Sequence, residues 1–158
     1  MGTEIERKFL VDDPSVVDGI DGTILRQGYL TRDPARAVRV RHAGQRAFVT
    51  VKSAKIGATR GEWEWEIPLE DADGLLAICD GPVLEKTRHL VDYGGRTWEI
   101  DVFAGANAGL VMAEIELEHE DEVVDLPPWI GREVTDDPRY YNSVLSVTPI
   151  STWEAVPA

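Results

Sequence analysis

The sequence predicts an α+β fold dominated by antiparallel β-structure, with a few short helices set beside the strands. Two observations carry this reading. Eight segments alternate between charged and apolar side chains with the two-residue period of an extended strand. Turn-forming clusters such as Ala43-Gly44-Gln45 and Asp92-Tyr93-Gly94-Gly95 separate neighbouring segments by the short distances a hairpin needs. A third observation bears on function: within each segment the charged positions carry mostly one sign.

The first strand, Thr3 to Val11, places Glu4, Glu6 and Lys8 on one face and Ile5, Arg7 and Phe9 on the other. Asp12-Asp13-Pro14-Ser15 is a turn or helix start with Asp or Ser available as a cap. A second strand is expected over 24–32, ended by Asp33-Pro34. In the third, 37–42, Arg39 and Arg41 oppose Val38 and Val40. The fourth, 46–52, sets Thr50 and Lys52 against Val49 and Val51.

A small-residue loop from Ser53 to Thr59 is suited to gate a site. It leads to the cleanest alternation in the chain, where Glu62, Glu64 and Glu66 oppose Trp63, Trp65 and Ile67. Residues 70–80 predict a short helix with acids in its first turn and Gly81-Pro82 as its stop. The apolar side of this helix is a candidate cover for the Trp63–Ile67 row. Strands are expected over 83–91, with Lys86 and Arg88 at strand spacing, over 96–103, with Glu99 and Asp101 on one face, and over 110–119, with Glu114, Glu116 and Glu118. Beyond Pro127-Pro128, residues 129–135 are expected to turn and 138–145 to form a short helix with Pro138 at its start.

The 158 residues suffice for one domain with a real core, and 43% hydrophobic content is that of a globular protein. The net charge of −13, from 29 acidic and 16 basic residues, argues against a general nucleic-acid or anionic-membrane binder. A single cysteine, Cys79, allows no internal disulfide and fits a reducing compartment. No apolar run is long enough to span a bilayer, and a cytoplasmic protein is expected. His42, His89 and His119 lack zinc-like spacing, and neither GxxxxGK[ST] nor GxGxxG occurs.

Alternation alone does not say which face points inward. Like charges two apart on a strand repel, so a solvated face would gain by mixing signs. The apolar rows, rich in Trp, Val, Ile and Leu, need cover, which the two helices offer. Both observations favour an enclosed charged face. Its inventory is Lys8, Arg39, Arg41, Lys52, Lys86 and Arg88 against Glu4, Glu6, Glu62, Glu64, Glu114 and Glu116, with Asp101 as a further acid. Arg and Lys suit phosphate oxygens, and clustered carboxylates suit hard cations. Salt-bridge networks between the two sets are the purely structural alternative.

The ordered set Glu4-x-Glu6-x-Lys8, Arg39-x-Arg41, Lys52, Glu62-x-Glu64, Lys86-x-Arg88 and Glu114-x-Glu116 resembles the CYTH family, the triphosphate tunnel metalloenzymes. The ending, Glu133-Val134-Thr135-Asp136 with Arg139-Tyr140-x-Asn142, is also similar. The resemblance implies a closed eight-stranded antiparallel β-barrel with flanking helices, one closing a tunnel end, as a single domain over 1–150 with a tail at 151–158. It implies that Lys8, Arg39, Arg41, Lys52, Lys86 and Arg88 bind a small-molecule triphosphate. Glu4, Glu6, Glu62, Glu64, Glu114 and Glu116 would hold Mg²⁺ or Mn²⁺. Lys8, Lys86, Glu62, Glu64 and Asp101 are the expected catalytic groups.

The implied activity is hydrolysis of inorganic tripolyphosphate by a monomer or homodimer. Hydrolysis of thiamine or nucleoside triphosphates and adenylate cyclisation remain as alternatives within the same resemblance, and a non-catalytic module binding polyphosphate or a nucleotide triphosphate is a competing reading of another class.

Overall fold

A computed structural model describes residues 2–153. Nine strands form one antiparallel sheet: β1 (Gly2–Val11), β2 (Gly22–Thr31), β3 (Arg36–Ala43), β4 (Arg46–Ser53), β5 (Thr59–Ile67), β6 (Leu84–Tyr93), β7 (Arg96–Phe103), β8 (Val111–Glu116) and β9 (Ile130–Glu133). Helix α1 (Leu69–Ala77) follows β5, and α2 (Asn142–Leu145) follows a 3₁₀ turn over Pro138–Tyr140. The strand order is β5-β4-β3-β2-β6-β7-β8-β1, and a β5–β1 pairing closes these eight into a barrel. The β6–β7 hairpin turns through Gly94 and Gly95 at φ of 61° and 76°, a left-handed pair that matches strand twist.

The expected strands lie within a few residues of their observed bounds, except that the eighth ends at Glu116 and leaves Glu118 outside it. The larger correction is β9. Residues 129–135 were expected to turn, but Ile130–Glu133 pairs with the far half of β1. The cause is the way β1 changes partners. It pairs with β5 only through Ile5, so its later backbone groups on that edge need others. Glu6 N donates to Ala58 O, Lys8 N to Thr135 Oγ1, and Val134 N to Lys8 O. Gly131 permits this approach, since a Cβ there would run into the Asp12 carboxylate and sit 3.1 Å from the Leu10 carbonyl.

Three apolar clusters hold the barrel. On one outer flank Phe9, Trp98, Ile100, Ala113 and Ile115 pack beneath Trp129 and Ile130. On the opposite flank α1 lays Ala72 and Leu76 over Val40 and Ala47, with Val49 and Ile67 at the edge. The helix therefore covers Ile67 as expected, but Trp65 stays 56% exposed.

The third cluster lies inside the wall. Leu84, Phe103, Leu110 and Met112, with Leu10 beside them, meet Tyr140 and Leu145 at one end of the lumen. So the inner rows are charged for part of their length and turn apolar toward that end, where the α2 segment plugs them. Patterning offered the second helix as a cover for outer rows, whereas the resemblance implied a helix closing one tunnel end, and it is this second placement that the structure has. Packing continues to Trp153, whose ring lies 5.2 Å from that of Tyr140, past the expected boundary at 150. Positions 154–158 of the expected tail lie outside the described residues.

Candidate active site

Because the strand period is two, closing the sheet turns each charged row toward a common lumen. A cavity of about 230 Å³ opens there, and an eight-stranded barrel is the size that holds one small ligand. Glu4, Glu6 and Lys8 line it from β1, Arg39 and Arg41 from β3, Lys52 from β4, Glu62 and Glu64 from β5, Lys86 and Arg88 from β6, and Glu114 and Glu116 from β8. All these were singled out from the sequence. The expected catalytic Asp101 is the exception: it is 1% exposed and lies behind the cavity lining.

Asp101 is the hub of the β6–β7 wall. Its Oδ2 lies 2.6 Å from Lys86 Nζ, and its two oxygens accept from Arg88 Nε and Nη2 at 2.8 and 2.9 Å. Burial opposes its charge, but Lys86 and Arg88 outweigh burial and hold its pKa below the usual value. Arg88 reaches Glu99 with Nη1 at 2.9 Å, and its own pKa rises because Asp101, Glu114 and Glu99 outweigh the cost of burial. Burial dominates at Lys86, with Arg88 and Arg41 adding repulsion, and lowers its pKa to about 7 despite Asp101.

Across the lumen, Lys8 Nζ sits 3.6 Å from Glu114 and 3.8 Å from Glu6. Burial works against the Lys8 charge, yet these two carboxylates raise its pKa. Glu6 behaves oppositely: burial first and Glu114 second raise its pKa to about 7. Lys52 donates to both oxygens of Glu4 at 3.0 and 3.2 Å and lies 3.4 Å from Glu62. Burial, followed by hydrogen bonding and repulsion from Glu62, leaves the pKa of Glu4 raised even so.

On β3, Arg39 Nη2 donates to Thr50, whose hydroxyl donates to Glu64. Arg39 Nε is buried with no hydrogen-bond partner among the described residues. Arg41 Nε donates to the fully buried Gln27, and burial with Arg39 nearby lowers its pKa to about 9. Arg39 Nη2 also lies 3.7 Å from Glu64, whereas Arg41 is a cation held without enough anion, the condition under which a bound polyanion gains most.

The carboxylates suit a hard cation by their chemistry, all oxygen and crowded in pairs. Glu6 with Glu114 and Glu4 with Glu62 share space, the first pair facing Lys8 and Arg88 and the second Lys52. Among the described residues no three acids converge into a preformed cage. A hard divalent cation takes oxygen ligands of this kind and can be held by one or two carboxylates together with substrate phosphates.

Sequence reasoning missed Arg60, Glu99, Tyr141, Asn142 and Ser143 as cavity-lining residues. Arg60 and Glu99 were legible in principle: each extends a charged row by one further step of two. The C-terminal three carry no periodic signal, since a plug is placed by tertiary packing.

A family model described as CYTH domain matches residues 2–142. An inorganic triphosphatase of Acetivibrio thermocellus is 45% identical over 155 residues, covering 98% of this chain and 99% of that protein. An inorganic triphosphatase of Nitrosomonas europaea is 41% identical over 154 residues, covering 92% and 98%. A crystal structure of an inorganic triphosphatase aligns with a TM-score of 0.66 at 38% identity, covering 100% of this chain and 99% of that one. A match spanning the whole barrel, joined by likeness along almost the full length of two triphosphatases, means that the chain belongs to the CYTH domain family.

Proposed function

We propose that this protein hydrolyses a triphosphate, with inorganic tripolyphosphate as its substrate and Mg²⁺ or Mn²⁺ as its cofactor. The observation that carries the reading is the lumen itself: seven Lys and Arg face seven Glu around one small cavity, and the buried Nε of Arg39, a lining residue, has no hydrogen-bond partner among the described residues. The likeness to inorganic triphosphatases supports the same substrate class.

Lys8, Arg39, Arg41, Lys52, Lys86 and Arg88 bind the phosphate oxygens, Arg with paired N–H groups and Lys as point charges. Held in place before substrate arrives, they stabilise negative charge that builds on the departing and transferred groups. Glu4, Glu6, Glu62, Glu64, Glu114 and Glu116 supply the metal-binding oxygens. A bound divalent metal supplies charge neutralisation at the phosphates and a more acidic attacking water.

Water oxygen attacks a terminal phosphorus, the bond to the bridging oxygen breaks, and pyrophosphate leaves with that oxygen. Lys86, a lining residue whose pKa burial lowers to about 7, takes the water's proton in this reading. As a neutral amine it donates to Asn142 Oδ1 at 2.8 Å with Asp101 2.6 Å away, and on taking the proton it becomes the ammonium that pairs with Asp101 and the phosphates. Asp101 acts through Lys86 and Arg88 as a positioning residue, since it does not line the cavity. The reading places the protein in the cytoplasm, where a lone cysteine stays reduced.

The test is turnover of tripolyphosphate, ATP and thiamine triphosphate with Mg²⁺, Mn²⁺ or EDTA, following phosphate and cyclic AMP. Phosphate release from tripolyphosphate that EDTA abolishes is the expected result. Cyclic AMP from ATP, or binding with no turnover of any of the three, would replace the reading.

A further inference from the structure

The C-terminal plug does more than stop one end of the lumen, because Asn142 at the start of α2 reaches the cavity and is 8% exposed. Its amide orientation follows from its neighbours. Arg41 has only donors, so the Gln27 oxygen must face Arg41 Nε, 2.9 Å away. That turns Gln27 Nε2 toward Asn142 at 3.3 Å, and Lys86 Nζ, also a donor, lies 2.8 Å from the same Asn142 atom. Two donors converging on one atom require it to be the oxygen Oδ1. The amide nitrogen, Nδ2, is then left over.

Nδ2 has no acceptor among the described residues, and it is not among their buried orphan atoms, so it opens on the cavity the residue lines. Arg41 and Lys86, the cations joined through this pair of amides, both line the same cavity. A free N–H at that position meets whatever anion they hold.

On the reading of the lumen as a triphosphate site, we propose that Asn142 is a substrate-binding residue. Its Nδ2 donates to a phosphate oxygen at the plugged end, while its Oδ1 holds Lys86 in register. The plug thereby becomes part of the binding site. A hydrogen bond to a charged group is worth roughly a 10- to 100-fold change in affinity.

The experiment measures binding of inorganic tripolyphosphate by calorimetry in EDTA, with turnover in Mg²⁺, for wild type, Asn142→Asp and Asn142→Ala. Asp keeps an acceptor for both Lys86 and Gln27 but faces the phosphate with an oxygen. The contact predicts normal thermal stability with binding weakened about 10-fold or more and KM raised. The alanine variant weakens binding by about 10-fold without the added repulsion. If Asn142 serves only to hold the plug, Asn142→Asp binds tripolyphosphate as wild type does, and that result overturns the contact alone. A wild-type protein that neither binds nor cleaves tripolyphosphate overturns the triphosphatase reading, and the contact with it.

Discussion

Glu6 carries the most consequential single charge in the lumen. Lys8, Glu114, Glu4 and Lys52 face it, and burial first, then Glu114, raise its pKa to about 7. The folded state therefore takes up this proton at higher pH than the unfolded chain. The resulting stabilisation is fully present below the ordinary value of 4.5 and is lost as pH rises through about 7. Glu6→Gln, which removes the buried charge, is expected to raise the Tm in metal-free buffer at pH 8, by an energy on the order of 3 kcal/mol. At pH 5 the advantage should shrink to about a quarter of that; an equal gain at both pH values, read by thermal unfolding, would refute the assignment. Glu6 itself was legible in the sequence, as the middle of Glu4-x-Glu6-x-Lys8. Its pKa was not, because it depends on Glu114 arriving from β8, more than a hundred residues along the chain.

At the level of elements, the structure separates parts that only stabilise from a part that also builds the site. Leu76 of α1 and Leu145 of α2 are both buried leucines, but the first packs outside the barrel wall and the second inside it. Truncating either to Ala should cost about 2–5 kcal/mol by leaving a cavity. Only Leu145→Ala should also raise KM for tripolyphosphate, because α2 carries Asn142; equal KM values for the two variants would show that the plug is passive. The long strands were readable because each presents a row of alternating side chains to two environments. Two elements were not readable this way. The four-residue β9 contains Gly131 and follows two prolines, so its strand character comes from the unpaired edge of β1. The α2 segment is one turn long, and its placement is decided by the apolar end of the lumen.

For the whole molecule, charge is divided unequally between inside and outside. The lining cations and carboxylates balance at seven each, so the net charge of −13 belongs to the rest of the chain. A polyanion entering alone meets the carboxylates, and a cation entering alone meets the ammonium and guanidinium groups. Tripolyphosphate and Mg²⁺ together should therefore raise the Tm by more than the sum of their separate effects, with stabilisation of about 2.7 kcal/mol at a hundredfold excess over Kd. Purely additive shifts in a thermal scan would argue against a joint site. The sequence by itself determined the alternation, the sign of each row and the residues that would meet, because a strand's two-residue period fixes which side chains share a face. Only the tertiary structure decided that the plugged end of the rows is apolar, that Asp101 sits behind the lining and that Asn142 reaches the cavity. Those depend on where closure of the barrel brings distant segments, and no local period encodes that.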